Sequence, residues 1–332
     1  MDQRKAVGQG LGSDMNKVLA GYIRSFSKLR ADRSAGWTDA TKGQAPHKPL
    51  LLLSVLDFFA EGSMDANLIE FSAELAELFA TYWQTVLPDR RGNMALPFFH
   101  LRSSKFWHLV PKHGQDENLV AANRGYASQL QKMILGAQLD DDLFMLLQRE
   151  ENRNALRTVL IQTYFAEEYH LALIEQGEVN LQAYLYSQKL LSQSLELDTD
   201  AQPKVRDQGF RKAVVRIYEH RCAFCGVRML TSSGHTAVEA AHIIPWSVSQ
   251  NDAVRNGIAL CRLCHWTFDE GLTGVSAKYQ VVLSKELRMM SQNLPGHLLT
   301  VESRQILGPT DDSFWPDLGA LKWHRKNVFL KK

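Results

Sequence analysis

Two C-x-x-C pairs, Cys222/Cys225 and Cys261/Cys264, account for all four cysteines of the chain. Two such pairs supply the thiolates of a tetrahedral zinc site, and four sulfurs leave no position for water, so that Zn2+ is structural. Residues 226–260 lie between the pairs, more than a small zinc ribbon needs. That insert and the residues after it place His242, Asn256 and His265 in order, with Asp269 following His265. On a helix His265 and Asp269 lie one turn apart on the same side and could share a metal ion.

A set of helices must carry this stretch. Immediately before it, VRDQGFRKAVVRIYEHRCAFCG has Phe210, Val214 and Ile217 as a helical stripe, with Arg206, Arg211, Lys212 and Arg216 on a basic side suited to a phosphate backbone. At the other end of the chain, residues 1–13 read as a polar, Gly-rich tail, and Val18 to Leu29 recur at helical spacing. Residues 31–46 read as a loop, and Pro49 suits the first turn of a buried helix through about Ala60. His47 and Lys48 then sit at a helix N-terminus, where N–H groups favour an anion such as phosphate; the alternative is a pair that only caps and solvates the helix. Ile69 to Val86 reads as an amphipathic helix. MALPFFHLRSSKFWHLVP reads as a hairpin turning at Ser103 and Ser104, with Pro97, Phe98, His100 and Arg102 at its apolar and basic centre, although such an aromatic run also suits a core. Residues 115–190 read as helical, with a break near Gly136 to Asp140, and Arg124 is placed to reach DNA or to be solvated.

Composition sets the outer limits. A chain of 332 residues, 45% hydrophobic, is long enough for two folded domains. Its net charge of +2 excludes nothing about nucleic acid, because the basic residues are grouped in runs. No apolar run approaches a bilayer span, and the N-terminus lacks the apolar core of a secretory signal. The expected location is therefore the reducing cytoplasm, with no membrane partner, where clustered cysteines favour metal over disulfides.

Two resemblances sharpen the reading. GQAPHKPLLLLSVLDF, followed by MALPFFHLRSSKFWHL, resembles the sulfur-binding domain of type IV restriction enzymes, which recognises phosphorothioate-modified DNA. The likeness implies an apolar sulfur pocket at His47, Lys48, Leu96 and Pro97, with basic residues such as His100, Arg102 and Arg124 on the flanking phosphates. A sulfur in place of a non-bridging oxygen is larger, softer and more weakly hydrated, so an apolar pocket favours it. Leu96 stands where that family often has an aromatic residue. VEAAHIIPWSVSQNDAVRNGIALCRLCHWTFD resembles the HNH endonucleases, whose ββα-metal fold is then expected here. The resemblance implies His242 as general base, Asn256 as the residue that orients it, and His265 and Asp269 as ligands of a catalytic Mg2+ or Mn2+. Ala241 occupies the position of a further metal ligand in that family, and Glu239 on the same strand face is a candidate substitute.

The fold expected is α+β. A mainly helical DNA-reading domain with a short hairpin (residues 14–175) leads through a helical and polar linker (176–203) to an HNH domain with a four-cysteine zinc site (204–332). The expected activity is hydrolysis of double-stranded phosphorothioated DNA, with a homodimer as one route to cutting both strands. The alternatives are an HNH nuclease that reads another modification or none, and a non-catalytic zinc-dependent DNA-binding protein.

Overall fold

A computed structural model describes residues 3–62, 64–115, 127–193, 201–231, 235–289, 298 and 300–330. The chain divides into two compact units, one of residues 1–181 with 232–235 and one of residues 182–231 with 236–332.

The first unit is built from α1 (Gln3–Phe26), α2 (His47–Ala60), β1 (Ile69–Glu70), α3 (Ala73–Val86), α4 (Ala95–His100), β2 (Trp107–Pro111), α5 (Ala127–Met133), β3 (Ile134–Leu139), α6 (Asp141–Leu147) and α7 (Glu150–Tyr164). Helix α8 (His170–Leu191) follows and contains the unit boundary. Residues 176–203, read as a linker, are thus helical as far as Leu191. Helix α1 begins at Gln3, where a tail was expected.

Helix α2 is apolar on every side and buried along nearly its whole length, as a helix without a polar face must be. Its one carboxylate, Asp57, is 1% exposed and meets Arg157 Nη1 at 2.8 Å and Asn180 Nδ2 at 2.7 Å. Burial raises the Asp57 carboxyl, and the Arg157 charge works against that shift. Removing Arg157 would leave the Asp57 charge uncompensated in the core, which costs about 3–5 kcal/mol.

Three readings of this unit are corrected. The segment expected to form a hairpin is instead α4 and a 3₁₀ turn over Leu101–Ser103, and only Trp107–Pro111 is a strand. Pro97 falls in the first turn of α4, where its missing N–H has no helical partner to lose. Phe98, Phe99 and Leu101 are buried, so the aromatic run is core. The expected break near Gly136 lies in β3, the central strand of a three-stranded antiparallel sheet ordered β1-β3-β2. ILGAQL is a short apolar run that periodicity cannot assign, and pairing on both sides settles it as strand. Helix α3 starts at Ala73, capped by Ser72 Oγ, which accepts from Leu75 N–H at 3.2 Å; Ile69 and Glu70 belong to β1.

After Leu191 the second unit continues with α9 (Pro203–Ile217), β4 (Val238–His242), α10 (Trp246–Ser249), β5 (Gly257–Cys261), α11 (Arg262–Asp269), β6 (Thr273–Val275), β7 (Val281–Leu283), α12 (Lys285–Met289) and α13 (Leu318–Asn327). Strands β4 and β5 pair antiparallel, His242 opposite Gly257 and Val238 opposite Cys261, and α11 starts directly after β5. This is the expected ββα order. Among the described residues no helix is long and apolar enough to cross a membrane.

Candidate active site and nucleic-acid interface

The sulfurs of Cys222, Cys225, Cys261 and Cys264 all lie within 4.8 Å of one another. A tetrahedron of Zn–S bonds near 2.3 Å puts its sulfurs about 3.8 Å apart. Cys225 Sγ and Cys261 Sγ stand 3.7 Å apart, so the donors fit zinc in number, type and spacing. The first knuckle closes through Gly226 N–H to Cys222 O at 2.9 Å, and Gly226 adopts φ +75°, a conformation that favours glycine. The second knuckle spans the end of β5 and the first turn of α11, so the tetrad ties the strand pair to the helix bearing His265.

Strand alternation sends His242 and Glu239 to opposite faces of β4. On one face the His242 ring stacks on Phe210 of α9, centroids 3.8 Å apart and planes 6° from parallel. Gly257 makes this stack feasible, because a Cβ there would meet Val214 Cγ2 at 2.5 Å and Phe210 Cζ at 2.9 Å. His242 Nε2 lies 2.6 Å from Oδ1 of Asp252, a residue 1% exposed. The other oxygen, Oδ2, accepts from the Tyr186 hydroxyl at 2.9 Å and lies 3.9 Å from Arg206 Nε.

Asn256 does not meet the His242 ring through its side chain. Its Oδ1 accepts from Ile244 N–H at 3.0 Å, and its Nδ2 donates to Ile244 O at 3.0 Å and Asn251 O at 2.9 Å. Its backbone carbonyl accepts from Ile243 N–H at 2.8 Å. Asn256 is therefore a clamp across the loop that follows β4. Asp252, Tyr186 and Phe210 were not singled out for the site from sequence. Asp252 lies in the quoted motif but looks like any loop aspartate until its partners are known.

On the other face of β4, His265 stands between two carboxylates. Its Nδ1 is 3.1 Å from Glu239 Oε2, and its Nε2 is 3.2 Å from Asp269 Oδ2. Burial lifts the Asp269 carboxyl above its ordinary range, with the His265 charge opposing. A ring offers one nitrogen to any one ion, so Glu239 and Asp269 occupy separate edges and do not converge with His265 on one point. The cysteine tetrad is the only group of three or more metal-binding side chains that converges among the described residues. His265 Nε2 and Asp269 Oδ2 are two donors on one edge of the ring that could hold a divalent ion with water as its other ligands. Glu239, expected as a candidate substitute ligand, meets the ring at Nδ1, the edge away from Asp269, and its Oε1 accepts from Arg262 Nε at 3.2 Å.

The basic side expected for α9 is largely used inside the domain. Arg206 lies over the Trp246 ring at 3.7 Å, Arg211 Nη1 donates to Val238 O at 3.2 Å, and Lys212 lies 5.7 Å from the Tyr184 ring. Arg216 is exposed.

In the first unit, His47 and Lys48 open α2 itself. The His47 ring packs edge-on to Trp37, centroids 5.3 Å apart, and tilted on Trp83 at 4.7 Å. Desolvation lowers this imidazole to about 4, against the pull of Asp32, so it is neutral at pH 7. Lys48 Nζ donates to Ser103 Oγ at 3.0 Å, and Ser103 Oγ donates to His100 O at 2.9 Å. Burial, with Arg30 adding repulsion, lowers the Lys48 ammonium to about 8. His100 is lowered by desolvation and by the charges of Lys48 and Arg102, which places these three groups together. The Arg102 guanidinium lies 4.0 Å from the Phe99 ring centroid. Leu96 is 37% exposed and offers an apolar surface, but Pro97 is buried and offers none. Arg124 lies outside the described residues.

Comparison with known proteins agrees with this division. Residues 20–183 match the family model of the ScoMcrA-like DNA sulfur-binding domain, and residues 222–276 match that of the HNH endonucleases. No curated protein matches the chain. Among solved structures, the chain is similar to a modification-dependent TagI restriction endonuclease at 22% identity and TM-score 0.28, with 42% of each chain covered. It thus spans less than half the length of that enzyme. It is also similar to the sulfur-binding domain of SprMcrA complexed with phosphorothioated DNA, at 19% identity and TM-score 0.36, with 48% of this chain and 93% of that one covered. By its two family matches the chain joins a ScoMcrA-like DNA sulfur-binding domain to an HNH endonuclease domain.

Proposed function

We propose that the protein is a modification-dependent endonuclease that binds phosphorothioated double-stranded DNA through its first domain and hydrolyses phosphodiester bonds with its second. The observation that carries this reading is the presence of both domains, a sulfur-DNA reader and an HNH unit, in one chain. In the reader, Leu96 and the aromatic surround of His47 supply apolar contact for a weakly hydrated sulfur. Lys48, His100 and Arg102 supply hydrogen bonds and charge for flanking phosphates.

In the nuclease domain His242 is the general base. Its Nε2–H donates to the Asp252 carboxylate, so Nδ1 is the nitrogen that takes the proton of the attacking water. Asn256 fixes the loop behind it. His265 and Asp269 would hold a Mg2+ or Mn2+, which would supply stabilisation of charge on the phosphate and the leaving oxygen. The tetrad would hold Zn2+ as scaffold. Cutting both strands from a single HNH site calls for two chains or two visits, and a homodimer in the cytoplasm is the arrangement we favour.

The decisive experiment compares binding to phosphorothioate and unmodified duplexes of one sequence at one salt concentration, because phosphate contacts dominate non-specific affinity. Preferential binding of the modified duplex is expected, and equal binding overturns the sulfur reading. For the nuclease, His242→Ala should abolish cleavage and leave duplex binding intact.

A further inference from the structure

We infer that Asp252 is the positioning residue of the catalytic base, fixing the His242 ring from Nε2 and thereby selecting Nδ1 as the proton acceptor. The inference rests on the reading of His242 as base and adds a residue whose role nothing in the motif assigns. A carboxylate that is 1% exposed persists in a core only when its oxygens are bonded. Here Oδ1 is 2.6 Å from His242 Nε2 and Oδ2 is 2.9 Å from the Tyr186 hydroxyl. A carboxylate accepts and does not donate, so the contact places the ring proton on Nε2.

The surroundings hold this pair from several sides. Asn256 Nδ2 ties Asn251 O to the loop, and Asn251 Oδ1 accepts from Ala253 N–H at 2.8 Å, which brackets Asp252 between two anchored neighbours. Phe210 stacks flat on the imidazole and blocks rotation out of line. Asn256 thus acts on His242 at one remove, by holding the loop that presents Asp252. Charged and titratable groups around the pair include Arg206 and, through it, Asp207 from α9, and Tyr186 from α8. Arg206 Nη2 is 2.5 Å from Asp207 Oδ1, and the Trp246 ring of α10 covers the guanidinium. Gly257 of β5 brings none, and Glu239 points from the opposite face of β4.

A purely structural Asp252 would tie its loop to Tyr186 and leave the chemistry untouched, and the pH dependence of cleavage separates the two roles. The full-length Asp252→Asn protein is assayed by single-turnover cleavage of a phosphorothioate duplex in Mg2+ or Mn2+ across pH 5–9. Cleavage is expected to slow by about 10²-fold with duplex affinity unchanged, a share of what a well-placed base contributes. The acid limb of the profile should move to lower pH, because the negative charge that favours the imidazolium is gone. Tyr186→Phe should slow cleavage in the same direction, by about 3- to 10-fold, through the lost hydroxyl on Oδ2. Cleavage by Asp252→Asn within threefold of wild type, or slower cleavage with an unmoved acid limb, overturns the inference. If Asp252→Asn lacks a melting transition, Tyr186→Phe decides between the two roles, and an unchanged rate there overturns the inference. His242→Ala serves as reference. If it cuts like wild type, the assignment of the base fails; if it is inactive while Asp252→Asn is normal, only the role of Asp252 fails.

Discussion

Replacing Gly257 by Ala adds one methyl group opposite His242 in the β4–β5 ladder. The backbone there is extended, with φ −114°, so the change meets no conformational strain and any cost is one of packing. The new Cβ would stand 2.5 Å from Val214 Cγ2, 2.9 Å from Phe210 Cζ and 3.1 Å from Val254 O. Carbon atoms in contact prefer about 3.5–4.0 Å, so the neighbours must retreat by about 1 Å. Val214 is 0% exposed and Phe210 3%, which leaves neither a free direction to move. Overpacking of this kind costs about 1–3 kcal/mol, offset by about 0.4–1 kcal/mol because Ala restricts the unfolded chain. A net loss of about 0.5–2 kcal/mol corresponds to a melting temperature lower by about 2–8 °C. Because Phe210 is the surface on which His242 lies, the proposed base moves with it, and a misplacement near 1 Å costs up to about 10²-fold in rate. Thermal melting and single-turnover cleavage measure the two effects. Gly21→Ala is the control, since its Cβ would meet nothing within 4 Å and a helical Gly→Ala change is stabilising by about 1 kcal/mol. An unchanged melting temperature and an unchanged cleavage rate for Gly257→Ala would refute the packing argument.

Three further outcomes are expected. The Lys48 ammonium, lowered to about 8, loses its charge as pH rises past that value, so phosphorothioate duplex binding should weaken about tenfold between pH 7 and 9. In Lys48→Arg, binding titrations should show a flatter pH profile. His324 is 2% exposed, stacks on Phe268 at 3.8 Å and donates Nε2–H to Phe268 O at 3.0 Å. Burial lowers its imidazole to about 4, so the unfolded state binds the extra proton between 6.5 and 4. Its contribution is intact above pH 6.5 and falls by up to ~3 kcal/mol as pH drops to 4, a slope that denaturant titrations of His324→Gln should lack. Cys264→Ser should reduce bound zinc from about one ion per chain to none and abolish the melting transition of the nuclease domain, because structural zinc contributes about 10 kcal/mol or more to such folds. Elemental analysis with calorimetry checks both, and a cooperative melt without zinc would count against the scaffold role.

How much of the site is legible in sequence depends on how local each feature is. The cysteine knuckles, the order of His242, Asn256 and His265, and the turn from His265 to Asp269 are short-range spacings, so residue types alone point to them. The buried helix after Pro49 is equally plain, because an apolar run with proline in its first turn has few other forms. Residues 94–111, read as a hairpin, form a helix, a 3₁₀ turn and one strand, and the helix break read near Gly136 to Asp140 lies in a strand. Short apolar runs fit strand and helix alike, and only pairing partners or core contacts choose between them.

What the chain by itself determined, then, was a four-cysteine cluster fit for a metal ion, a ββα order and a largely helical first unit, each set by chemistry that neighbouring residues share. What tertiary structure alone decided was the company of the proposed catalytic groups. Tyr186 reaches Asp252 across 66 positions, and Phe210 lies flat on His242. Glu239 and Asp269 take opposite edges of His265 because one comes from a strand face and the other from a helix turn. Contacts between elements distant in sequence leave no periodic trace in it, since they follow from how the helices and strands pack. Asp252 shows the difference: as a letter it is one acidic residue in a polar loop, and in the fold it is the buried carboxylate that holds the imidazole of His242.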